Sequence, residues 1–332
     1  MRRIVQLRRG TERRVAVVDE PRLKLIDRYE SIYELAQAAI AEMGSLVSLI
    51  DTHTTDVAVD YDEVYDGRSA WRLLAPIDHP DEPSRLLVSG TGLTHLGSAA
   101  NRQSMHEMKE SELTDSMKMF RWGVEGGRPA RGQIGISPEW FYKGNGTILR
   151  GHAEPLVIPS FGEDGGEEAE IAGVYVIGED GRPWRIGMCN GNEFSDHKYE
   201  KRNYLNLASS KIRTCSLGPE LVVDARFESV PGSVAIERGG ATIWSKEIVT
   251  GEADMCHSLQ NVEHHHFKFE SHRRPGDVHV HYFGACSLSF GEVELAESDV
   301  MAVRFEGFGR PLRNSLLVDR SPSALVDIQS LA

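Results

Sequence analysis

Short β-type runs recur through the second half of the chain and constrain its fold more than any other feature. From Trp140 onward, runs rich in β-branched and aromatic residues alternate with turn signals such as G-E-D-G-R-P, P-G-S and R-P-G-D-V. Such runs are typical of strands, and helical periodicity is weak in this region. The sequence therefore predicts a mainly β domain, coiled into a barrel-like or rolled sheet.

The first part of the chain has a different pattern. Strand-like I-V-Q-L and A-V-V runs come first, and Ser31 with Glu34 then forms a capping box. The apolar residues that follow recur at helical spacing. We therefore predict a helix from Ile32, with Met43 on its apolar face and Gly44 as its stop.

A proline-rich stretch at residues 77–84 has the composition of a linker. We therefore predict a small N-terminal α/β domain over residues 1–88 and a β-rich catalytic domain over residues 89–332. Within the second domain, residues 99–132 are polar, Met-rich and punctuated by glycine. This segment is a candidate lid over a site, and the alternative is a surface excursion without a role.

Composition excludes several classes of function. A chain of 332 residues with 40% hydrophobic content can bury a large core. The net charge of −13 and the scattered Lys and Arg residues argue against nucleic-acid binding. The N-terminus lacks the roughly 7–15-residue apolar segment of a signal peptide, and no apolar stretch approaches the about 18 residues of a spanning helix. We expect a soluble, cytoplasmic protein without nucleic-acid or membrane partners.

The common motifs for nucleotide cofactors and for a catalytic serine are missing from the sequence. The run G-T-G-L-T-H-L-G lacks the G-x-G-x-x-G pattern, so a nicotinamide cofactor is not expected, and neither a G-x-S-x-G motif nor a Walker lysine is present. The four cysteines form no C-x-x-C pair. We interpret them as reduced packing residues.

Two closely spaced glutamates form the strongest candidate site. Glu168 and Glu170 are separated by one residue and lead into the apolar run I-A-G-V-Y-V-I. On a strand both carboxylates would project from the same face and would repel each other unless a proton or a cation lies between them. Hard cations such as Mg²⁺ prefer oxygen ligands, and Glu193 would supply a third carboxylate. The alternative for an E-x-E pattern is a solvated acidic strand edge.

Five motifs in order resemble the fumarylacetoacetate hydrolase superfamily. They are E-A-E, G-N-E-F-S-D, the lysine-containing S-S-K-I-R-T-C-S-L-G-P, P-G-D-V and G-F-G-R-P-L-R-N, and the match to the superfamily covers about residues 88–315. The upstream S-P-E-W-F-Y-K and G-H-A-E segments are most similar to the 2-keto-3-deoxy sugar-acid dehydratases of that superfamily. The resemblance implies a β-rich mixed roll that holds one Mg²⁺ (or Mn²⁺), commonly in a homodimer.

The resemblance also implies roles for individual residues. Glu168, Glu170 and Glu193 would hold the metal, Glu139 and Lys211 would be the catalytic acid–base pair, and Thr94, Ser98 and Lys143 would contact the substrate. Without the family context, Lys143 and Lys211 could equally be surface lysines.

The chain departs from the family pattern at three positions. Glu193 stands where the family has an aspartate, which leaves Asp196 as a rival ligand. Ser98 stands where the hydrolases have a water-activating histidine, with His95 and His106 nearby in sequence. Ala285 stands where a threonine often binds the substrate carboxylate.

The mechanism implied by the resemblance is dehydration of a 2-keto-3-deoxy sugar acid. A bound Mg²⁺ would polarise the 2-oxo group and so acidify the C3 protons. Lys211, with its pKa lowered by the nearby cation, would remove a C3 proton, and Glu139 would protonate the departing C4 hydroxyl, or the two would exchange roles. The alternatives are a 2,4-diketo acid hydrolase of the same superfamily and a non-catalytic sugar-operon accessory protein.

A rival metal site is offered by histidines. His264, His265 and His266 are consecutive, and His279 and His281 form an H-x-H pair that would share one face of a strand. Two such imidazoles could bind zinc or iron. A third ligand at suitable spacing is not evident, so packing is the alternative interpretation.

Overall fold

The computed structural model describes residues 1–96 and 113–331, and strands outweigh helices among them. The strands are β1 (Arg2–Arg9), β2 (Glu12–Asp19), β3 (Arg22–Ile26), β4 (Thr54–Asp60), β5 (Arg72–Leu73), β6 (Leu86–Gly92), β7 (Glu139–Asn145), β8 (Leu149–Arg150), β9 (Leu156–Ile158), β10 (Ala169–Ile177), β11 (Pro183–Asn192), β12 (Cys215–Leu217), β13 (Leu221–Val223), β14 (Val230–Arg238), β15 (Ala241–Thr250), β16 (Val278–Tyr282), β17 (Val300–Phe305) and β18 (Leu312–Val318). The α-helices are α1 (Ile32–Ala41), α2 (Leu46–His53), α3 (Tyr61–Tyr65), α4 (Asp115–Gly126), α5 (His197–Arg202), α6 (Leu207–Ser210) and α7 (Leu259–Phe267).

The larger of the two sheets has β10 near its middle. Its strand order is β4-β3-β2-β1-β13-β11-β10-β16-β6-β7, with the short strands β5, β8 and β12 paired alongside. β10 is antiparallel to β11 and β16, and all of its residues are buried. Its alternate residues pack into different hydrophobic clusters, Val174 on one face and Ile171 on the other. This two-sided burial explains why the strand is a continuous apolar run.

The smaller sheet has the order β15-β14-β17-β18-β9 and faces the larger one. Val234 of β14 and Val303 and Phe305 of β17 share a cluster with Ile171 and Met188 from the larger sheet. Parallel pairs, such as β16 with β6 and β18 with β9, occur among the antiparallel ones. The β-rich mixed roll that the sequence predicts is confirmed.

The N-terminal strands continue the larger sheet rather than forming a separate one. β1 pairs antiparallel with β13, with Ile4 opposite Leu221. Ile4 and Ile32 also pack in the same hydrophobic cluster as Val174. Residues 1–88 therefore share a sheet and a core with the β-rich part of the chain, and the domain boundary at residue 88 stays a prediction.

The predicted N-terminal helix is confirmed at its start and differs at its end. Ser31 caps α1, since its side chain accepts a hydrogen bond from the Glu34 backbone. The helix ends at Ala41, and Met43 lies beyond it with a φ of 51° and 79% of its surface exposed. The predicted burial of Met43 was therefore wrong. In the turn that closes the helix, the Gly44 N–H donates to the Ala39 carbonyl. Met43, and not Gly44, is the residue with left-handed backbone in this turn.

None of the described helices is long and apolar enough to cross a membrane. All four cysteines have free thiols: Cys189, Cys215 and Cys256 are buried, and Cys286 is partly buried. Cys189 and Cys215 lie in β11 and β12, whereas Cys256 and Cys286 lie in loops.

Candidate active site

A single hairpin brings the three predicted carboxylates together. Glu168 and Glu170 lie at the start of β10, and Glu193 directly follows β11, its hairpin partner. The Glu193 N–H donates to the Glu168 carbonyl at 3.0 Å, so the two residues face each other across the hairpin. Ligand oxygens of all three carboxylates lie within 4.8 Å of one another, and all three residues are buried.

Two buried lysines lie against these carboxylates. The Lys211 ammonium bridges Glu168 and Glu193, at 2.6 Å from an oxygen of each. Lys143 lies behind Glu193 at 2.5 Å, and its ammonium also donates to the backbone carbonyls of Phe194 at 2.7 Å and Lys211 at 2.9 Å. The three N–H groups of Lys143 are therefore all engaged, whereas Lys211 also borders open space.

The crowding of like charges perturbs the carboxylates in opposite directions. Burial, together with the charges of Glu193 and Glu168, raises the pKa of Glu170 well above its ordinary value. Burial opposes ionisation of Glu168 too, but Lys211 and His197 hold the pKa of Glu168 well below its usual range. This is the electrostatic situation of a site that needs more positive charge than its side chains supply.

Hydrogen bonds from neighbouring groups fix the orientation of the carboxylates. The Gly284 N–H donates to Glu170 at 2.7 Å, and the Ser195 hydroxyl donates to Glu193 at 3.0 Å. His197 Nε2 lies 3.1 Å from an oxygen of Glu168. Such partners orient metal ligands and tune their basicity.

The structure separates Glu193 from its rival Asp196. The Asp196 carboxylate pairs with the Arg213 guanidinium at 2.9 Å and caps α5 by accepting from the Tyr199 N–H. Both of its oxygens therefore bond groups other than the three glutamates. Glu193 is the better candidate for the third ligand.

Glu139 lies at the start of β7, beside the same cavity. It pairs with Gly92 of β6, where a β-carbon would overlap the Glu139 carboxyl oxygen. The Tyr204 hydroxyl donates a hydrogen bond to the other carboxyl oxygen. Burial raises the pKa of Glu139 to about 7, against the opposing effects of Tyr204 and Lys211. Glu139 can thus carry or release a proton near neutral pH.

A cavity of about 330 Å³ connects these groups. Glu139, Glu168, Lys211 and His197 line it on one side, and residues 285–288 line it on another. Helix α4, which lies within the predicted lid segment, contributes Ser116, Met117 and Phe120. The first half of that segment, with His106, lies mostly outside the described residues, and the lid stays a prediction.

Short helical segments add residues that sequence reasoning missed beside the predicted Lys211. His197 and Glu200 lie on α5, Tyr204 begins a 3₁₀ turn (Tyr204–Asn206), and Lys211 follows α6. Asn203, between α5 and the turn, is extended with φ −161° and ψ 128°, so the four side chains do not share the face of one helix. His197, Glu200 and Lys211 line the cavity, and Tyr204 contacts Glu139. The three-residue spacing of His197 and Glu200 on α5 was the available signal.

The residues predicted to contact substrate lie in different places. Thr94 is buried and its hydroxyl donates to the Phe283 carbonyl at 2.6 Å, and it is not part of the cavity lining. Lys143 supports Glu193 from behind the carboxylates. Ser98 lies outside the described residues. Ala285 does line the cavity, without a hydroxyl to offer.

The histidines of the rival metal site form a separate cluster, which we call the histidine cluster: His266, His272, His279 and His281. His281 is held by the hydroxyls of Ser89 at 2.8 Å and Thr91 at 2.6 Å, and His279 Nδ1 lies 2.9 Å from His266 Nε2. Among the described residues, the three glutamates are the group whose ligand atoms converge. The geometry therefore favours packing for the histidines.

The arrangement of the sheets is similar to that of several solved enzyme structures. A solved structure of 2-keto-3-deoxy-D-arabinonate dehydratase, complexed with magnesium and 2,5-dioxopentanoate, superposes on this chain with a TM-score of 0.71 at 18% identity, covering 96% of this chain and 100% of that one. A 5-carboxymethyl-2-hydroxymuconate delta-isomerase from Mycobacterium smegmatis gives a TM-score of 0.58 at 16% identity, with the same coverage.

An isomerase of 2-hydroxyhepta-2,4-diene-1,7-dioate from Mycobacterium marinum also has a TM-score of 0.58, at 16% identity, over 97% of this chain and 100% of its own. No protein-family model and no curated protein sequence matches the chain. At these identities the likeness establishes the fold. It agrees with the resemblance seen in the five sequence motifs.

Proposed function

We propose that this protein is a Mg²⁺-dependent dehydratase of a 2-keto-3-deoxy sugar acid. The observation that carries the proposal is that Glu139 and Lys211 line one cavity together with Glu168, one of the three buried carboxylates. A dehydratase needs a base and an acid at neighbouring carbons of one substrate, and this cavity offers both. The similar dehydratase complexed with magnesium and 2,5-dioxopentanoate supports the same assignment.

The three carboxylates fit a hard divalent cation. Their oxygens converge within 4.8 Å, and burial together with the charges of Glu193 and Glu168 raises the pKa of Glu170, against the opposing effect of Lys211. Glu168, Glu170 and Glu193 would hold Mg²⁺, or Mn²⁺, through oxygen ligands. The bound cation would polarise the 2-oxo group of the substrate and so acidify its C3 protons.

Lys211 is assigned the role of base and Glu139 the role of acid. Burial lowers the pKa of Lys211, but Glu168 and Glu193 outweigh this effect and raise the pKa well above its ordinary value. A cation shared by the same carboxylates would weaken that stabilisation of the ammonium. The charges of three carboxylates, Lys143 and a divalent cation cancel when Lys211 is neutral. A neutral Lys211 can accept a C3 proton.

Glu139 completes the elimination by giving a proton to the C4 hydroxyl, which leaves as water. The C3 proton passes to Lys211, so that one molecule of water is lost across C3 and C4. Tautomerisation of the product then gives a semialdehyde. Because the pKa of Glu139 is about 7, a large fraction of its carboxyl is protonated at neutral pH and ready to donate.

Product analysis tests the proposal. The protein with Mg²⁺ is incubated with a panel of 2-keto-3-deoxy acids, and we expect water loss without C–C cleavage, giving a 2-keto semialdehyde. Pyruvate and a second acid would instead indicate a C–C hydrolase acting on 2,4-diketo acids. No turnover of any member by metal-loaded protein would favour an accessory role. Chelator-treated protein is the matched control.

A further inference from the structure

His95 presents an unused hydrogen-bond acceptor at the cavity. Its Nε2 lies 2.8 Å from the Gly284 carbonyl, and the Thr250 hydroxyl lies 3.2 Å from the same nitrogen. A carbonyl only accepts, so Nε2 must carry the hydrogen and Nδ1 must be a bare acceptor. Nδ1 is buried and, among the described residues, has no hydrogen-bond partner, although His95 lines the cavity.

The imidazole of His95 stays neutral under ordinary conditions. Burial lowers the pKa of His95 to about 4, so its Nδ1 is an acceptor and not a donor near pH 7. A buried acceptor without a partner is costly and rare in a folded protein. A ligand that donates a hydrogen bond would satisfy it.

Ser287 adds a second unused polar atom to the same cavity. Its hydroxyl oxygen is buried and has no hydrogen-bond partner within the described part of the chain, and the residue lies two positions after Ala285 on the loop that lines the cavity. A hydroxyl can both donate and accept. The third unpartnered atom of the lining, His197 Nδ1, belongs to a residue that already contacts Glu168.

We propose that His95 Nδ1 and the Ser287 hydroxyl bind a substrate hydroxyl that does not leave, and that they select hydroxylated 2-keto acids over their deoxy analogues. This inference rests on the proposed function and adds the substrate feature that the cavity recognises. A bare acceptor cannot assist the leaving hydroxyl, because that group must receive a proton. It suits a hydroxyl beyond the reacting carbons, such as the one at C5.

Two ligands that differ in one hydroxyl test this assignment without turnover. They are 5-hydroxy-2-oxopentanoate and 2-oxopentanoate, and neither has a C4 hydroxyl to lose. Their dissociation constants are measured by calorimetry in the presence of Mg²⁺. Affinities are compared between wild type and variant, so that the fraction of the hydroxylated ligand present as a cyclic hemiketal cancels.

The variants remove the proposed contacts one at a time. In His95→Gln the side-chain amide can still donate to the Gly284 carbonyl, while the Nδ1 acceptor is lost. We expect about a tenfold or greater loss of affinity for the hydroxylated ligand and little change for 2-oxopentanoate. Ser287→Ala should act in the same direction with a smaller effect. His152→Gln is the matched control, since His152 also lies buried against a backbone carbonyl but away from the cavity.

The results separate this inference from the proposed function. If His95→Gln weakens both ligands equally, or neither, hydroxyl recognition by His95 is overturned while the 2-keto acid site stands. If wild-type protein with Mg²⁺ binds neither ligand, the proposed function itself fails, and this inference with it. A selective loss confined to the hydroxylated ligand supports both.

Discussion

The molecule contains two buried clusters of titratable side chains, and they differ in how their charges are balanced. In the carboxylate cluster, Glu168 and Glu193 share the Lys211 ammonium, and burial together with these two neighbours raises the pKa of Glu170. In the histidine cluster, burial lowers the pKa of His279 and of His281 to about 3, so both rings are neutral. One cluster concentrates charge and the other excludes it.

The two clusters also differ in what remains for a ligand to do. The carboxylate cluster borders a cavity through Glu168, and its oxygens converge on one place. In the histidine cluster His266 bonds His279, and His281 bonds the hydroxyls of Ser89 and Thr91; among the described residues, His279 Nε2 has no hydrogen-bond partner. A dense group of buried titratable residues therefore indicates a site when like charges converge beside open space, and indicates packing when its groups are neutral and mostly hydrogen-bonded within the protein.

Removing a carboxylate should have the largest effect on metal binding and activity. We expect Glu168→Ala and Glu170→Ala each to abolish Mg²⁺ binding and to lower activity by at least about 10³-fold, because an anionic ligand with no nearby substitute is lost. Metal content and turnover are measured on the same samples. His279→Gln is the control and should keep its metal.

Two outcomes would contradict the assignment of the carboxylates. Full activity in chelator-treated protein without added metal would exclude a metal mechanism. Loss of metal in Asp196→Ala, with Glu193→Asp unaffected, would move the third ligand to Asp196.

The second prediction concerns proton transfer in the cavity. Glu139→Gln keeps the size of the side chain but removes its transferable proton, so turnover should fall by roughly 10²-fold or more while metal binding hardly changes. Solvent-deuterium exchange at substrate C3 assigns the roles. Exchange should persist in Glu139→Gln and vanish in Lys211→Met.

If deuterium exchange instead vanishes in Glu139→Gln and persists in Lys211→Met, Glu139 is the base and Lys211 is the acid. Normal turnover in Glu139→Gln would remove Glu139 from catalysis.

Much of the carboxylate cluster could be predicted from sequence because its residues are close in the chain and lie on one hairpin. The E-x-E spacing places Glu168 and Glu170 on one face of a strand, and the resemblance identifies Glu193. The contacts of Tyr204 and Lys143 could not be predicted, because they depend on how distant segments meet. A lysine in a sequence looks like a surface residue, and only the fold shows that Lys143 is fully enclosed.

The third prediction tests the contact between Tyr204 and Glu139. The acid form of Glu139 is the active one, so activity should fall as the pH rises through about 7. The Tyr204 hydroxyl stabilises the carboxylate, so Tyr204→Phe should raise the pKa of Glu139 and move the alkaline limb of the kcat profile upward, by about one pH unit or less.

Tyr142→Phe, an exposed tyrosine on the same strand as Glu139, should leave the profile unchanged. An unshifted alkaline limb in Tyr204→Phe would show that this hydroxyl does not tune Glu139.

The smallest effect on activity is expected at the histidine cluster, where the consequence is for stability. The pKa values of His266, His279 and His281 are all lowered in the folded state, chiefly by burial. The unfolded chain then binds more protons, so stability is fully present above the ordinary histidine pKa of about 6.5 and is lost as the pH falls below it.

We expect the free energy of unfolding to decrease by roughly 1 kcal/mol or more between pH 7 and pH 5, and the denaturant midpoint to decrease with it. His279→Gln should lessen this decrease. A midpoint that does not change over this range would show that the cluster is not neutral when folded.

The hairpin of β10 and β11 carries all three carboxylates, and this limits how the gene can vary. Glu193 faces Glu168 because residues 169–174 pair with residues 187–192 in one register, which a bulge between Val174 and Tyr175 then shifts. A change of register by one residue turns every following side chain to the opposite face of a sheet. Loops elsewhere can lengthen or shorten between homologues, whereas a single inserted or deleted codon within residues 187–191 would separate Glu193 from its partners in one event.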